Sequence, residues 1–172
     1  MAQIDSVSQN PIRYLSALSV SCENPSKVLL TFLSVLGKDQ YEISPYLRSD
    51  SLRFISNAVN DKVDIISFSA QDIFQVDAVS KAKLSGMKDG KAYYPSFRVA
   101  EICFESDSLA KVMLTHLEEV IYNRGDMNDK RYDYLLRHGS KLIYVSTAAK
   151  LFESYALAYK DVLSITIASY YD

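Results

Sequence analysis

The sequence predicts an α+β fold: one domain built from two β-α-β-α half-repeats around a pseudo-two-fold, with helices packed on a mostly antiparallel or mixed sheet. Three observations predict it. Lys27-Val28-Leu29-Leu30-Thr31-Phe32-Leu33 returns as Lys111-Val112-Met113-Leu114-Thr115-His116-Leu117, with five of seven residues identical. Leu52-Arg53-Phe54-Ile55-Ser56-Asn57-Ala58 returns as Leu142-Ile143-Tyr144-Val145-Ser146-Thr147-Ala148. In both halves an alternating apolar stretch precedes the Lys-Val segment, and an Arg-containing turn precedes the second motif. One heptad match is within chance for a chain this long, so the order and context of the segments carry the argument. Two copies are too few for a solenoid, whereas an internal two-fold within one domain fits.

Each element has its own local reason. Residues 1–11 are polar and end in Asn10-Pro11, which reads as a loose arm. Leu18, Val20 and Cys22 alternate with Ser19 and Ser21, so 12–22 reads as a strand with one wet face. Asn24-Pro25 supplies an N-cap and a proline at the first helical position. Val28, Leu29, Phe32, Leu33 and Leu36 then form a helical apolar stripe, and Gly37 is placed to end it. A polar connection leads to a strand at 52–56. The β-rich Ile65-Ile66-Ser67-Phe68 leaves 58–84 open between helix and strands; the repeat favours helix.

Gly86 and Asp89-Gly90 punctuate the midpoint, separating half-repeat one (about 12–85) from half-repeat two (about 92–172). The second half opens with a strand near 94–104. Ser106 or Asp107 caps a helix carrying Leu109, Val112, Met113, Leu117, Val120 and Ile121. Residues 122–138 read as a charged, irregular connection, 142–145 as a strand, and Ser146 or Thr147 as the start of a helix to about 162. The alternation Leu163-Ser164-Ile165-Thr166-Ile167 reads as an edge strand.

Composition excludes several functions. A formal charge of −2 argues against a broad nucleic-acid surface, and no apolar run is long enough to span a bilayer. The start carries no signal peptide as written, so the chain reads as cytoplasmic, or as periplasmic or secreted if a leader was removed before Ala2. Repeat alignment and strand parity put Cys22 and Cys103 on opposite faces, predicting two free thiols. No metal-ligand spacing and no glycine-rich phosphate loop is present, so no cofactor or metal is expected. His116 occupies the helical slot of Phe32 and reads as a half-buried core residue; His138 reads as solvated. Arg124-Gly125-Asp126 spells an integrin-recognition tripeptide, but three letters recur by chance. Asp126, Asn128, Asp129 and Asp133 lack calcium-loop spacing and read as a solvated acidic loop.

Thirteen tyrosines and no tryptophan suit partner-facing surfaces, where a ring packs and its hydroxyl stays paired. The expected function is therefore a non-enzymatic protein-binding module, of the inhibitor or immunity-protein class found in bacteria. Its partner is another protein, with a homodimer also allowed. The expected surface comprises Tyr122, Arg124, Asp126, Asp129, Arg131, Tyr132 and Tyr134. The alternatives are a small-molecule or lipid carrier, and an enzyme whose site assembles in three dimensions around Cys103 or His116.

Overall fold

The computed structural model describes residues 12–45, 52–56, 62–124 and 132–171. Its centre is a five-stranded, fully antiparallel sheet in the order β2-β5-β6-β8-β7, comprising β2 (Tyr41–Pro45), β5 (Ile73–Ser80), β6 (Ser96–Cys103), β8 (Lys141–Thr147) and β7 (Tyr132–His138). A smaller mixed sheet runs β1-β4-β3, where β1 (Ile12–Leu15) lies parallel to β4 (Val63–Phe68) and β3 (Leu52–Ile55) antiparallel to it. Helices α1 (Lys27–Lys38) and α3 (Glu153–Ala168) cover one face of the large sheet. Helix α2 (Asp107–Tyr122) and the small sheet share the other.

Strand parity divides the apolar residues between two cores. On β6, Phe97 and Val99 face α1 and α3, while Ala100 and Ile102 face α2. The first core holds Phe54, Phe68, Met113, Leu117 and Leu142; the second holds Phe32, Leu36, Val145 and Leu163. Edge-to-face rings knit the first, with Phe54 5.1 Å from Tyr144 and 6.1 Å from Phe68 between centroids. The fold is α+β, as the sequence predicts.

Several local expectations are corrected. Residues 63–68 and 73–80 are strands, joined by a short 3-10 turn at Ala70–Asp72. The β-branched runs there pair across strands, which outweighs analogy with the second half. Residues 41–45 form an edge strand where a polar connection was expected. Strand β7, Tyr132–His138, occupies the end of the expected irregular connection 122–138. Helix α3 continues through the alternating 163–167 to Ala168, because no glycine or proline stops it. The α1 cap is Ser26, whose hydroxyl accepts from the Leu29 N–H at 3.1 Å, and the helix runs past Gly37 to Asp39. Ser106 caps α2 as expected, accepting from Leu109 N–H. Ser146 and Thr147, expected to start the last helix, are instead the final residues of β8, and α3 begins at Glu153.

The two copies of the Lys-Val motif lie on opposite faces of the large sheet and bury different stripes. Helix α1 buries Val28, Leu29, Phe32 and Leu36; α2 buries Ala110, Met113, Leu117 and Val120. His116 is therefore exposed where Phe32 is fully buried. The repeat implies equal costs for Leu33→Ala and Leu117→Ala, but Leu117 is fully buried and Leu33 only half-buried. Leu117→Ala is expected to cost about 2–5 kcal/mol in urea titration, with Leu33→Ala clearly cheaper. Equal costs would contradict this placement.

The two cysteines form a disulfide, Cys22–Cys103, with Cα atoms 5.5 Å apart. The expected free thiols are thus corrected. The parity argument assumed one regular strand through Leu18, Val20 and Cys22. The chain instead turns at Leu18, with φ +53°, and makes a single bridge, Ser19 to Phe104. It then runs along the end of β6, where Val20 N–H donates to Cys103 O at 2.9 Å. Parity holds within a strand and cannot orient residues beyond its end.

Candidate functional site

Of the residues expected to form a partner surface, the four described ones, Tyr122, Arg124, Tyr132 and Tyr134, differ in exposure and in the face of the sheet they occupy. Tyr122 ends α2 with 86% of its surface exposed. Tyr132 and Tyr134 are half-buried along β7, and Tyr134 packs into the α1/α3 core on the other side of the sheet. Asp126, Asp129 and Arg131 lie outside the described residues. Arg124 is buried at 7% exposure. Cys103 is held in the disulfide and His116 points outward from α2, so the nucleophile pairing considered for an enzyme is not formed.

Arg124 builds an internal structure instead. Its guanidinium pairs with Asp133, whose side chain is 1% exposed, and its Nε–H donates to Ile55 O at 3.4 Å. The Tyr144 hydroxyl donates to the other Asp133 oxygen. Burial, followed by the charge and hydrogen bond of Asp133, pushes this hydroxyl far above its ordinary range. Tyr144 is therefore a fixed donor. The network ties the end of α2 to β3, β7 and β8. Asp133 is thus a buried ion-pair partner, not part of a solvated acidic loop.

Asp133 is also the end of a longer arrangement. The sheet register aligns Ser44 with Asp77, Asp77 with Arg98, Arg98 with Ser146, and Ser146 with Asp133. Parity puts all five on the face that carries α2, so one polar row crosses every strand. At the β7 end the row is closed over by Arg124. At the β2, β5 and β6 end it lines a cleft of about 570 Å³ with Val79, Phe152 and Tyr144. That volume lies within the range of small-molecule sites. One step inward on β5, the Gln75 side-chain oxygen is buried without a hydrogen-bond partner.

A second polar cluster occupies the opposite end of the sheet, under α1 and α3. Glu101 is fully buried in β6. It accepts from the Ser26 N–H at 2.8 Å and from the Ser26 hydroxyl, and pairs with Lys141 Nζ at 3.1 Å. Lys141 also donates to Asn24 O at 3.2 Å. These contacts anchor the start of α1 beside the disulfide, and the negative charge sits favourably at a helix N-terminus. His138, beside Lys141 in the β7–β8 register, is half-buried against the Tyr170 and Tyr171 rings, correcting the expectation that it is solvated. Its Nδ1 is buried with no partner.

Burial holds the His138 imidazole below its ordinary range; Glu101 and Asp107 oppose this, and Lys141 reinforces it. The unfolded chain thus takes up this proton at higher pH than the folded one. Stability from this residue is present above the unfolded value of about 6.5 and is lost as pH falls through it toward the lower folded value. The urea midpoint should drop between neutral and mildly acidic pH, and the drop should shrink in His138→Gln. An unchanged drop would place the pH dependence elsewhere.

The third feature is the outer face of α3. Its inner side buries Ala156, Leu163 and Thr166. Its outer side presents Ser154, Leu157, Ala158, Asp161, Ile165 and Ala168 at helical spacing, with Ile165 71% exposed. Helix α3 thus carries apolar residues on its outer side as well as its inner one, with Ser154 and Asp161 among them. No protein-family model matches the chain, and comparison with curated proteins and with solved structures found no significant match to either.

Proposed function

We propose that this chain is a protein-binding module that docks a different protein on the outer face of α3. The observation that carries this reading is the apolar character of α3 on its solvent side. Exposed apolar residues grouped along one helix face, here Leu157, Ala158, Ile165 and Ala168, mark interaction sites when rimmed by polar residues. Leu30 of the adjoining α1, 50% exposed, and the exposed Tyr170 and Tyr171 extend the surface. Charge favours a different protein over a second copy. Asp161 sits at the centre of the stripe, and an isologous contact would bring it against its own symmetry mate. Lys160, half-buried and 3.2 Å from Asp161, forms a surface pair with it and offsets this only weakly. The fitting partner presents an apolar surface with a Lys or Arg opposite Asp161. An inhibitor or immunity-type role is one form such a module takes.

The disulfide adds a compartment to this reading. Disulfides persist in oxidising environments, so a periplasmic or secreted setting suits the chain better than a cytoplasmic one.

Affinity capture with the wild-type chain, Ile165→Glu and Asp161→Lys provides the test. The reading expects a partner that the wild type holds and both variants lose, each variant keeping its wild-type unfolding midpoint. Partner capture that survives Ile165→Glu, or a mass that doubles with concentration and reverts in Ile165→Glu, would defeat it.

A further inference from the structure

We propose that the cleft at the open end of the polar row binds a small zwitterion of the α-amino-acid class, its ammonium held by Asp77 and its carboxylate by Arg98. Asp77 and Arg98 lie on the sheet face away from α3, and the cleft is separate from the outer face of α3 proposed above for docking.

Asp77 and Arg98 are directly opposed across β5 and β6, with Ser44 and Ser146 as their outer neighbours in register. Directly opposed residues sit about 4.5–5.5 Å apart at Cα, with side chains leaving the same face together. That spacing suits the two charged groups of one α-amino acid. The two ends of the row differ in a telling way. Asp133 is saturated by Arg124 and Tyr144. Asp77 is half-buried, lines the cleft, and receives no hydrogen bond from the described residues. Asp77 thus has acceptor positions open toward the cleft, and an ammonium there supplies a charged donor for them.

Arg98 has contacts of its own, but a guanidinium carries five N–H donors in a planar fork. It can hold a carboxylate while keeping another partner. Ser146 is the neighbouring hydroxyl. Val79, 39% exposed, and Phe152 give the remaining wall an apolar character, which suits an aliphatic side chain. The acid–base pair also rejects half-ligands. A simple amine would meet the Arg98 charge, and a simple carboxylic acid would meet Asp77.

Amide-resolved NMR titration with L-leucine, L-leucinamide and N-acetyl-L-leucine tests this. L-leucine should give saturable shifts at Asp77, Arg98 and Ser146. Both blocked compounds should bind at least about tenfold more weakly, as should L-leucine itself to Asp77→Asn. Ser44→Ala, a smaller change, should weaken binding while leaving the amide spectrum folded, which covers the case in which Asp77→Asn does not fold. Ile165→Glu should leave the leucine shifts unchanged, separating this site from the α3 face. The proposal is overturned if L-leucine gives no saturable shift up to about 10 mM, roughly tenfold above a millimolar Kd. It is equally overturned if either blocked compound binds as well as L-leucine.

Discussion

Reducing the Cys22–Cys103 bond, or replacing both cysteines with alanine, should lower the unfolding free energy by about 4 kcal/mol. The two residues are 81 apart in sequence, and closing a loop of that length in the unfolded chain is worth about 4–5 kcal/mol by chain entropy, within a usual range of about 2–5. The bond joins the approach to α1 to the end of β6, where few backbone hydrogen bonds hold the chain: Val20 N–H to Cys103 O and Cys22 N–H to Gln71 O. Losing it also loosens Ser26 over Glu101. Ser26 and Lys141 are the donors that compensate a fully buried carboxylate, so part of its desolvation cost returns when they move. For a chain of this size, about 4 kcal/mol corresponds to a melting temperature roughly 8–16 °C lower. Calorimetry with and without reductant checks the size, and thiol titration of the unfolded, unreduced chain checks the bond itself. Two titratable thiols, or equal melting temperatures, would remove the staple from this account.

The disulfide also shows where sequence reasoning reaches and where it stops. Both α1 and α2 were legible because their apolar residues recur at helical spacing and Ser106 caps the second. Strand β8 was legible as a short continuous apolar run, Leu142-Ile143-Tyr144-Val145, buried on both faces, and β6 as a β-rich stretch ahead of the α2 cap. The tail of α3 misled for a physical reason. Ile165 is apolar yet faces solvent, so the inward Leu163 and half-buried Ile167 complete a false period of two. The repeat misled similarly, since shared patterning does not fix the sheet face on which a helix lands. Strand β3 sits in the small sheet, while its supposed counterpart β8 lies inside the large one.

The polar row carried no local signal at all. Ser44, Asp77, Arg98, Ser146 and Asp133 come from five strands, and only parity combined with the observed register aligns them. Arg124 was singled out from a charged stretch, which pointed to the right residue and the wrong environment. A buried charge is indistinguishable from a solvated one until its partner is known, and Asp133 lies on the next strand. His138 was likewise invisible as a buried group, because Tyr170 and Tyr171 reach it only through the end of α3.

Arg124→Met should be the most damaging single substitution among the polar residues, at about 3–5 kcal/mol. The cost arises less from the lost attraction than from the Asp133 carboxylate left behind, with its side chain 1% exposed and Tyr144 as its one remaining side-chain donor among the described residues. Tyr144→Phe is the milder test of the same network, expected at about 1–3 kcal/mol, because Arg124 still neutralises the charge. The double variant Arg124→Met with Asp133→Leu separates the two causes. Removing both charges removes the uncompensated one, so the double variant should recover much of the loss and be more stable than Arg124→Met alone. Urea unfolding of the wild type, Arg124→Met, Asp133→Leu and the double variant supplies the cycle. If the double variant is instead as unstable as the sum of its parts, the ion pair is not what joins α2 to β7. Other contacts of Arg124, among them its Nε–H to the Ile55 carbonyl, would then have to bear that connection.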